Sequence, residues 1–262
     1  MNFELSQIPD RSSKPRKVGL TMVMDKGLSV RETEDFIDGN GPYTDVVKLG
    51  FGSALITPRL VDKISLYKSA GIPLYFGGTL LEAYIARNEV PQFIKILEKF
   101  KIETAEISDG SITIPHEEKC KLIKRLSKVV TVISEVGSKE EGIIIHPNRW
   151  IEMMQKEIDA GVWKVIAEAR ESGTVGIYRP NGKAHVMLIN KIVKNVPVEK
   201  IIWETPMKSQ QVYFIKLFGA NVNLGNIAPT EVIALESLRL GLRSDTFFQF
   251  LDKPASEIKE IA

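Results

Sequence analysis

Four apolar runs in the middle of this chain each end on a glutamate: Ala105-Glu106-Ile107-Ser108, Val132-Ile133-Ser134-Glu135, Val165-Ile166-Ala167-Glu168 and Ile201-Ile202-Trp203-Glu204. As neighbouring parallel strands, the runs would bring four carboxylates to one mouth. Like charges gathered in this way repel unless a cation or a shared proton compensates, so the pattern points to a metal ion and basic partners. Oxygen ligands suit a hard divalent cation. Mg2+ commonly takes only one or two carboxylates and keeps waters or substrate oxygens. Glu106, Glu135, Glu168 and Glu204 are the candidate Mg2+ ligands, and those not on the metal would pair with lysine or arginine. Zinc is disfavoured: His116, His146 and His185 are scattered, and none has a metal-ligand spacing to another histidine or to Cys120. Each of the three reads as an ordinary surface or loop histidine, with substrate contact the lesser alternative for His146, which lies in the loop after the fifth run.

The basic residues fall beside the same run ends. Lys26 follows Asp25 after the first apolar run, Lys139 follows the Glu135-Val136-Gly137 turn, and Arg170 follows Glu168. Lys48 stands inside an apolar strand pattern, Asp45-Val46-Val47-Lys48-Leu49, which directs its ammonium along the interior toward the mouth. Two segments could hold a phosphate with backbone N–H groups at a helix start. One is Asn221-Val222-Asn223-Leu224-Gly225-Asn226, ahead of a helix near Pro229, giving Asn223, Gly225 and Asn226 as candidates; the other is Gly77-Gly78-Thr79, giving Gly78 and Thr79. Each could equally be a tight turn that needs glycine or asparagine. Trp150, Trp163 and Trp203 read as packing residues.

Short β-branched runs alternate with longer amphipathic stretches, the pattern of βα units around a parallel sheet. Eight units are legible. The strands are Val18 to Met24, Asp45 to Leu49, Pro73 to Phe76, Thr104 to Ser108, Val129 to Glu135, Trp163 to Glu168, Lys200 to Glu204 and Ala220 to Leu224. The helices are Ser29 to Asp38, Pro58 to Ala70, Thr79 to Phe100 with a break near Pro91, Pro115 to Ser127, Pro147 to Ala160, Asn181 to Lys194, Lys208 to Phe218 and Pro229 to Leu240. Pro58, Pro115, Pro147 and Pro229 stand near helix starts, where a missing N–H does no damage. Eight such units over 262 residues predict a single-domain TIM (βα)8 barrel in the α/β class, with residues 1–17 as a lead-in and 244–262 as a C-terminal extension. An open doubly wound sheet is the alternative, disfavoured because Asp25-Lys26-Gly27 stands where a glycine-rich dinucleotide fingerprint would follow the first strand.

With 35 basic and 33 acidic residues the formal charge is +2, which gives no basic footprint for nucleic acid. No apolar stretch approaches the roughly 18 residues of a membrane span. The polar start lacks the hydrophobic centre of a signal peptide, so a cytoplasmic protein is expected. The single Cys120, in a helical pattern away from the glutamates, reads as an ordinary buried or half-buried thiol.

Six segments in order, Lys14-Pro15-Arg16, Asp45 through Gly52, Gly77-Gly78-Thr79, Ser134 through Gly137, Glu168 through Gly173 and Asn221 through Asn226, together resemble the phosphosulfolactate synthase family over nearly the whole chain. The family usually shows tryptophan where Phe51 stands and paired lysines where this chain has Ser138-Lys139. The resemblance implies a Mg2+-dependent barrel enzyme of the lyase class. It would add sulfite to phosphoenolpyruvate to give 2-phospho-3-sulfolactate, the first step of one route to coenzyme M. Its partners would be those two small anions, with a homo-oligomer allowed and neither nucleic acid nor membrane involved. In that chemistry the mobile Lys139 suits proton delivery, the rooted Lys48 suits charge stabilisation, and Lys26 and Arg170 help gather the anions. Two other functions fit the same barrel: a different phosphate-binding lyase or isomerase that needs no sulfite, and a non-catalytic, heat-stress-associated or regulatory relative.

Overall fold

The computed structural model describes residues 2–137 and 145–252. Among these, eight strands are formed: β1 Thr21–Asp25, β2 Val46–Leu49, β3 Leu74–Phe76, β4 Thr104–Ile107, β5 Thr131–Val136, β6 Lys164–Ala167, β7 Ile201–Glu204 and β8 Leu224–Ile227. They alternate with helices α1 Val30–Asn40, α2 Leu60–Ser69, α3 Gly78–Ile85, α4 Val90–Phe100, α5 His116–Leu126, α6 Pro147–Ala160, α7 Val186–Val193, α8 Lys208–Phe218 and α9 Val232–Arg239. All strand pairs are parallel, in the order β3-β2-β1-β8-β7-β6-β5-β4. Because β1 pairs with β8, the sheet curls into the expected (βα)8 barrel; an open doubly wound sheet would leave its first and last strands apart. No helix among the described residues is long and apolar enough to cross a membrane.

Strand side chains alternate between the helix layer and the barrel interior. Leu20, Met22, Val46, Tyr75, Ile133, Ile166 and Ile202 fill the interior, while a larger apolar layer lies between strands and helices. Two residues beyond four of these interior positions stand Lys48, Glu135, Glu168 and Glu204. The period of two therefore places all four inside, at the carboxyl ends of their strands. Glu106 has the same relation to Thr104 on β4.

The seam between β3 and β4 carries no ladder, so side chains close it at the mouth end. The Gly78 N–H donates to Glu106 Oε1 at 2.8 Å. Glu82 of α3 accepts from the Ser108 hydroxyl and from the amides of Gly110, Ser111 and Ile112 beyond β4. At the other end of the barrel the lead-in is tied down by Arg11 on Glu236 and Arg16 on Asp45.

Three elements depart most from the sequence reading. The expected Thr79 to Phe100 helix is two helices, parted at residues 86–89, with Pro91 inside the first turn of α4. Helix α7 starts at Val186 because residues 178–184 form a hairpin-like turn closed by the Tyr178 to Ala184 bridge. The eighth strand is Leu224–Ile227, not Ala220 to Leu224.

Candidate active site

At the carboxyl ends of the strands lies a cavity of about 340 Å3, into which Lys48, Glu106, Glu135, Glu168 and Glu204 all project. A larger cavity of about 560 Å3 opens at the opposite end of the barrel, beside Asp45, Thr104 and Trp163, remote from the glutamates. Barrel chemistry sits at the carboxyl ends of the strands, and the polar convergence there marks the smaller cavity as the functional one.

Lys48 is the hub. Its Nζ lies 2.9 Å from Glu106 Oε2, 3.6 Å from Glu135 Oε2 and 3.9 Å from Glu204 Oε1. Burial by itself would strip the ammonium of its proton; the charges of Glu106 and Glu135 reverse that and hold its pKa well above the usual lysine range. A permanently charged, rigidly rooted cation results.

Among the described residues Lys48 is the cation that faces Glu106, Glu135 and Glu204. At Glu204 the pKa is pushed up to about 7 by burial and by the charge of Glu135, with Lys48 and the Ala169 amide only partly opposing it. Glu135, Glu168 and Glu204, all buried, each offer an oxygen within 4.8 Å of the others. Hard oxygen donors, their convergence and the raised pKa of Glu204 together fit a divalent cation such as Mg2+. Glu106 stands apart from this trio, since its two oxygens are engaged by Lys48 and the Gly78 amide. The backbone holds the others in place: Glu168 Oε1 accepts from the Arg170 N–H at 2.7 Å, and Glu204 Oε2 from the Ala169 N–H at 2.9 Å. Gly176, in the left-handed region, lets the excursion after β6 fold back against the Glu168 carbonyl, where a Cβ would collide.

Thr79, Arg170 and Asn226 line the same cavity. Lys26 lies above it, half exposed, and forms an ion pair with Glu171 across the mouth. Lys139 lies outside the described residues. Asn223 and Gly225 are not in a phosphate loop, which corrects the sequence reading. Asn223 precedes β8 on the barrel floor, where its amide donates to the Glu199 and Ile201 carbonyls and its Oδ1 accepts from Leu20 N–H. Gly225 is within the strand, and a Cβ there would meet Met22 Cε at 2.7 Å and Ile202 Cγ2 at 2.8 Å. Asn226 does reach the mouth. Between the pairs Thr21 with Leu224 and Val23 with Ile227 the register gains a residue, and Asn226 adopts φ 56° in this bulge. Bulges re-aim side chains beside active sites, and the buried Asn226 Oδ1 has no hydrogen-bond partner among the described residues.

Asp25, at the end of β1, faces α2 through Lys63 at 2.7 Å and Tyr67 at 2.9 Å and does not line the cavity. His116 is half-buried and paired with Glu157 at 3.1 Å. Glu82 and Ser111, which shape the rim next to Glu106, do not stand out in the sequence. The signal for Glu82 is a carboxylate on the otherwise apolar stretch Leu80-Leu81-Glu82-Ala83.

The fold and mouth define a (βα)8-barrel enzyme with its reactive groups on the carboxyl-end face. The model of the (2R)-phospho-3-sulfolactate synthase (ComA) family matches residues 9–245, and the chain belongs to this phosphosulfolactate synthase family. The phosphosulfolactate synthase of Bacillus subtilis is 40% identical over 251 residues, covering 95% of this chain and 100% of the relative. That of Methanocaldococcus jannaschii is 43% identical over 237 residues, covering 87% and 94%. The resemblance carried by the six segments is thereby borne out. Among solved structures, 3-hexulose-6-phosphate synthase from Salmonella typhimurium shares the fold with a TM-score of 0.56 at 10% identity, over 86% of this chain and 100% of that one.

Proposed function

We propose that this chain catalyses the Mg2+-dependent addition of sulfite to phosphoenolpyruvate, a lyase-class reaction giving 2-phospho-3-sulfolactate. The observation that carries this reading is the buried Lys48 surrounded by Glu106, Glu135 and Glu204, in a chain of the phosphosulfolactate synthase family. Attack of the sulfite sulfur on the methylene carbon forms the carbon–sulfur bond and drives the π electrons toward the substrate carboxylate. The difficulty is charge build-up on that carboxylate. Glu135, Glu168 and Glu204 would hold Mg2+, whose charge offsets the developing dianion. Lys48, fixed by its three carboxylate neighbours, adds a preorganised positive charge that need not move during the reaction. Arg170, Lys26 and Thr79 gather the two anions, and the Asn226 carboxamide orients one of them. Lys139 delivers the proton to the carbon bearing phosphate, completing the addition.

The test is a direct assay by phosphorus NMR with phosphoenolpyruvate, sulfite and Mg2+, omitting each in turn. Product formation only with all three supports the reading. Turnover without sulfite would assign the barrel to a different phosphate-binding lyase or isomerase, and no turnover with no Mg2+ or phosphoenolpyruvate binding would make it a non-catalytic relative.

A further inference from the structure

Behind the mouth, where β5 meets α5 and α6, Lys119 is only 1% exposed. Its Nζ donates to the main-chain carbonyl of Glu135 at 2.6 Å and to Asp109 Oδ1 at 3.0 Å, and lies 3.0 Å from Glu157 Oε1. Burying an ammonium is costly even when it is paired, and an apolar residue of similar volume is often no less stabilising. Packing alone therefore does not explain a lysine at this place.

The sheet ladder does. Trp163 N–H donates to the Val132 carbonyl and Glu168 N–H to the Val136 carbonyl, so these two β5 carbonyls face β6. The intervening odd-numbered carbonyls, that of Glu135 included, face β4. However, β4 ends at Ile107, opposite Ser134, and the chain then turns away to wrap Glu82. The Glu135 carbonyl outruns its neighbouring strand. Lys119 supplies the donor that a longer β4 would have provided, and it holds Asp109 of the departing chain with the same ammonium.

We propose that Lys119 is a positioning residue of the mouth: by fixing the Glu135 peptide it aims the Glu135 carboxylate into the space shared with Glu168 and Glu204. Without it the Glu135 carbonyl loses the donor that stands in for a longer β4. A displacement of about 1 Å at a site of this kind costs on the order of 100-fold in rate, and loss of groups that orient metal ligands typically costs about 10- to 100-fold in affinity.

The inference rests on Glu135 being a cation ligand, so the test separates the two claims. Mn2+ affinity is measured by calorimetry for wild type, Lys119→Met, Glu135→Gln and the double variant, below their unfolding temperatures. The single Lys119→Met change should weaken binding about tenfold or more, and the double variant should bind no more weakly than Glu135→Gln alone. Additive losses would overturn the proposal, because a merely structural lysine would act independently of Glu135. Should Lys119→Met fail to fold, Lys119→Arg enters the same cycle. If wild type binds no Mn2+, the metal reading fails, and amide exchange across residues 131–137 decides the positioning claim separately. Faster exchange in the Lys119 variant supports it, and unchanged exchange overturns it.

Discussion

The Lys48 ammonium and the Glu106 carboxylate lie 2.9 Å apart with both groups buried, and Glu106 is in turn held by the Gly78 amide at 2.8 Å. The pair joins β2 to β4 across β3 and the unlaced seam. It therefore stabilises the barrel where backbone pairing is missing, while placing a positive charge at the centre of the mouth.

Removing that charge leaves Glu106, Glu135 and Glu204 without their common cation. Lys48→Met should lower stability by about 3 to 5 kcal/mol, the usual cost of orphaning a buried ion-pair partner. Saturating Mg2+ should restore part of the loss. Urea unfolding with and without Mg2+ measures both, and a variant as stable as wild type without metal would show that the carboxylates are compensated from elsewhere.

Glu204 makes the metal-free protein sensitive to pH. Its folded pKa is about 7 against an ordinary 4.5. Between these values the folded chain keeps a proton that the unfolded chain has released, so this group's contribution to stability falls as pH rises through that window. In chelator, wild type should lose thermal stability relative to Glu204→Gln as pH is raised from the lower value to the upper. Parallel melting-temperature curves for the two proteins would refute the assignment.

Gly78 is required for close approach. A Cβ there would stand 2.8 Å from Glu106 Oε1 and collide with the Ser108 hydroxyl. Gly78→Ala should cost about 1 to 3 kcal/mol, the scale of overpacking in a filled interior, and should lower kcat by displacing Glu106. Calorimetric melting together with steady-state kinetics checks this; unchanged melting would mean that the rim of α3 yields freely.

Asn223 and Asn226 should separate cleanly. Asn223→Ala removes three hydrogen bonds on the floor, two of them buried, so it should destabilise by roughly 1 to 3 kcal/mol and leave the KM for phosphoenolpyruvate unchanged. Asn226→Gly relieves a positive φ and removes a buried carboxamide oxygen. With Oδ1 the atom that lacks a hydrogen-bond partner among the described residues, this change should preserve or raise the melting temperature while lowering kcat/KM. The opposite pattern would return the substrate contact to Asn223.

The acidic ring is legible in the amino-acid sequence because two short-range rules suffice for it. Parallel strands present their carboxyl ends on one face, and the period of two puts Glu135, Glu168, Glu204 and Lys48 on the same side as the interior residue two places earlier. The eighth strand misleads for an equally local reason: Ala220-Asn221-Val222-Asn223-Leu224 alternates well, whereas Leu224-Gly225-Asn226-Ile227 carries two residues of poor strand propensity. Closure against β1 overrides that preference and places Asn226 in a bulge at the rim. Lys119, Glu157 and Glu82 are invisible in another way. On their helices they read as solvated charges, and they become buried only because α5 lies against α6 and the turn after β4 folds over α3. Local periodicity determines which way a side chain points along its own strand. What covers a charged side chain, and which partner 26 or 41 residues away replaces its water, is decided only when the barrel closes.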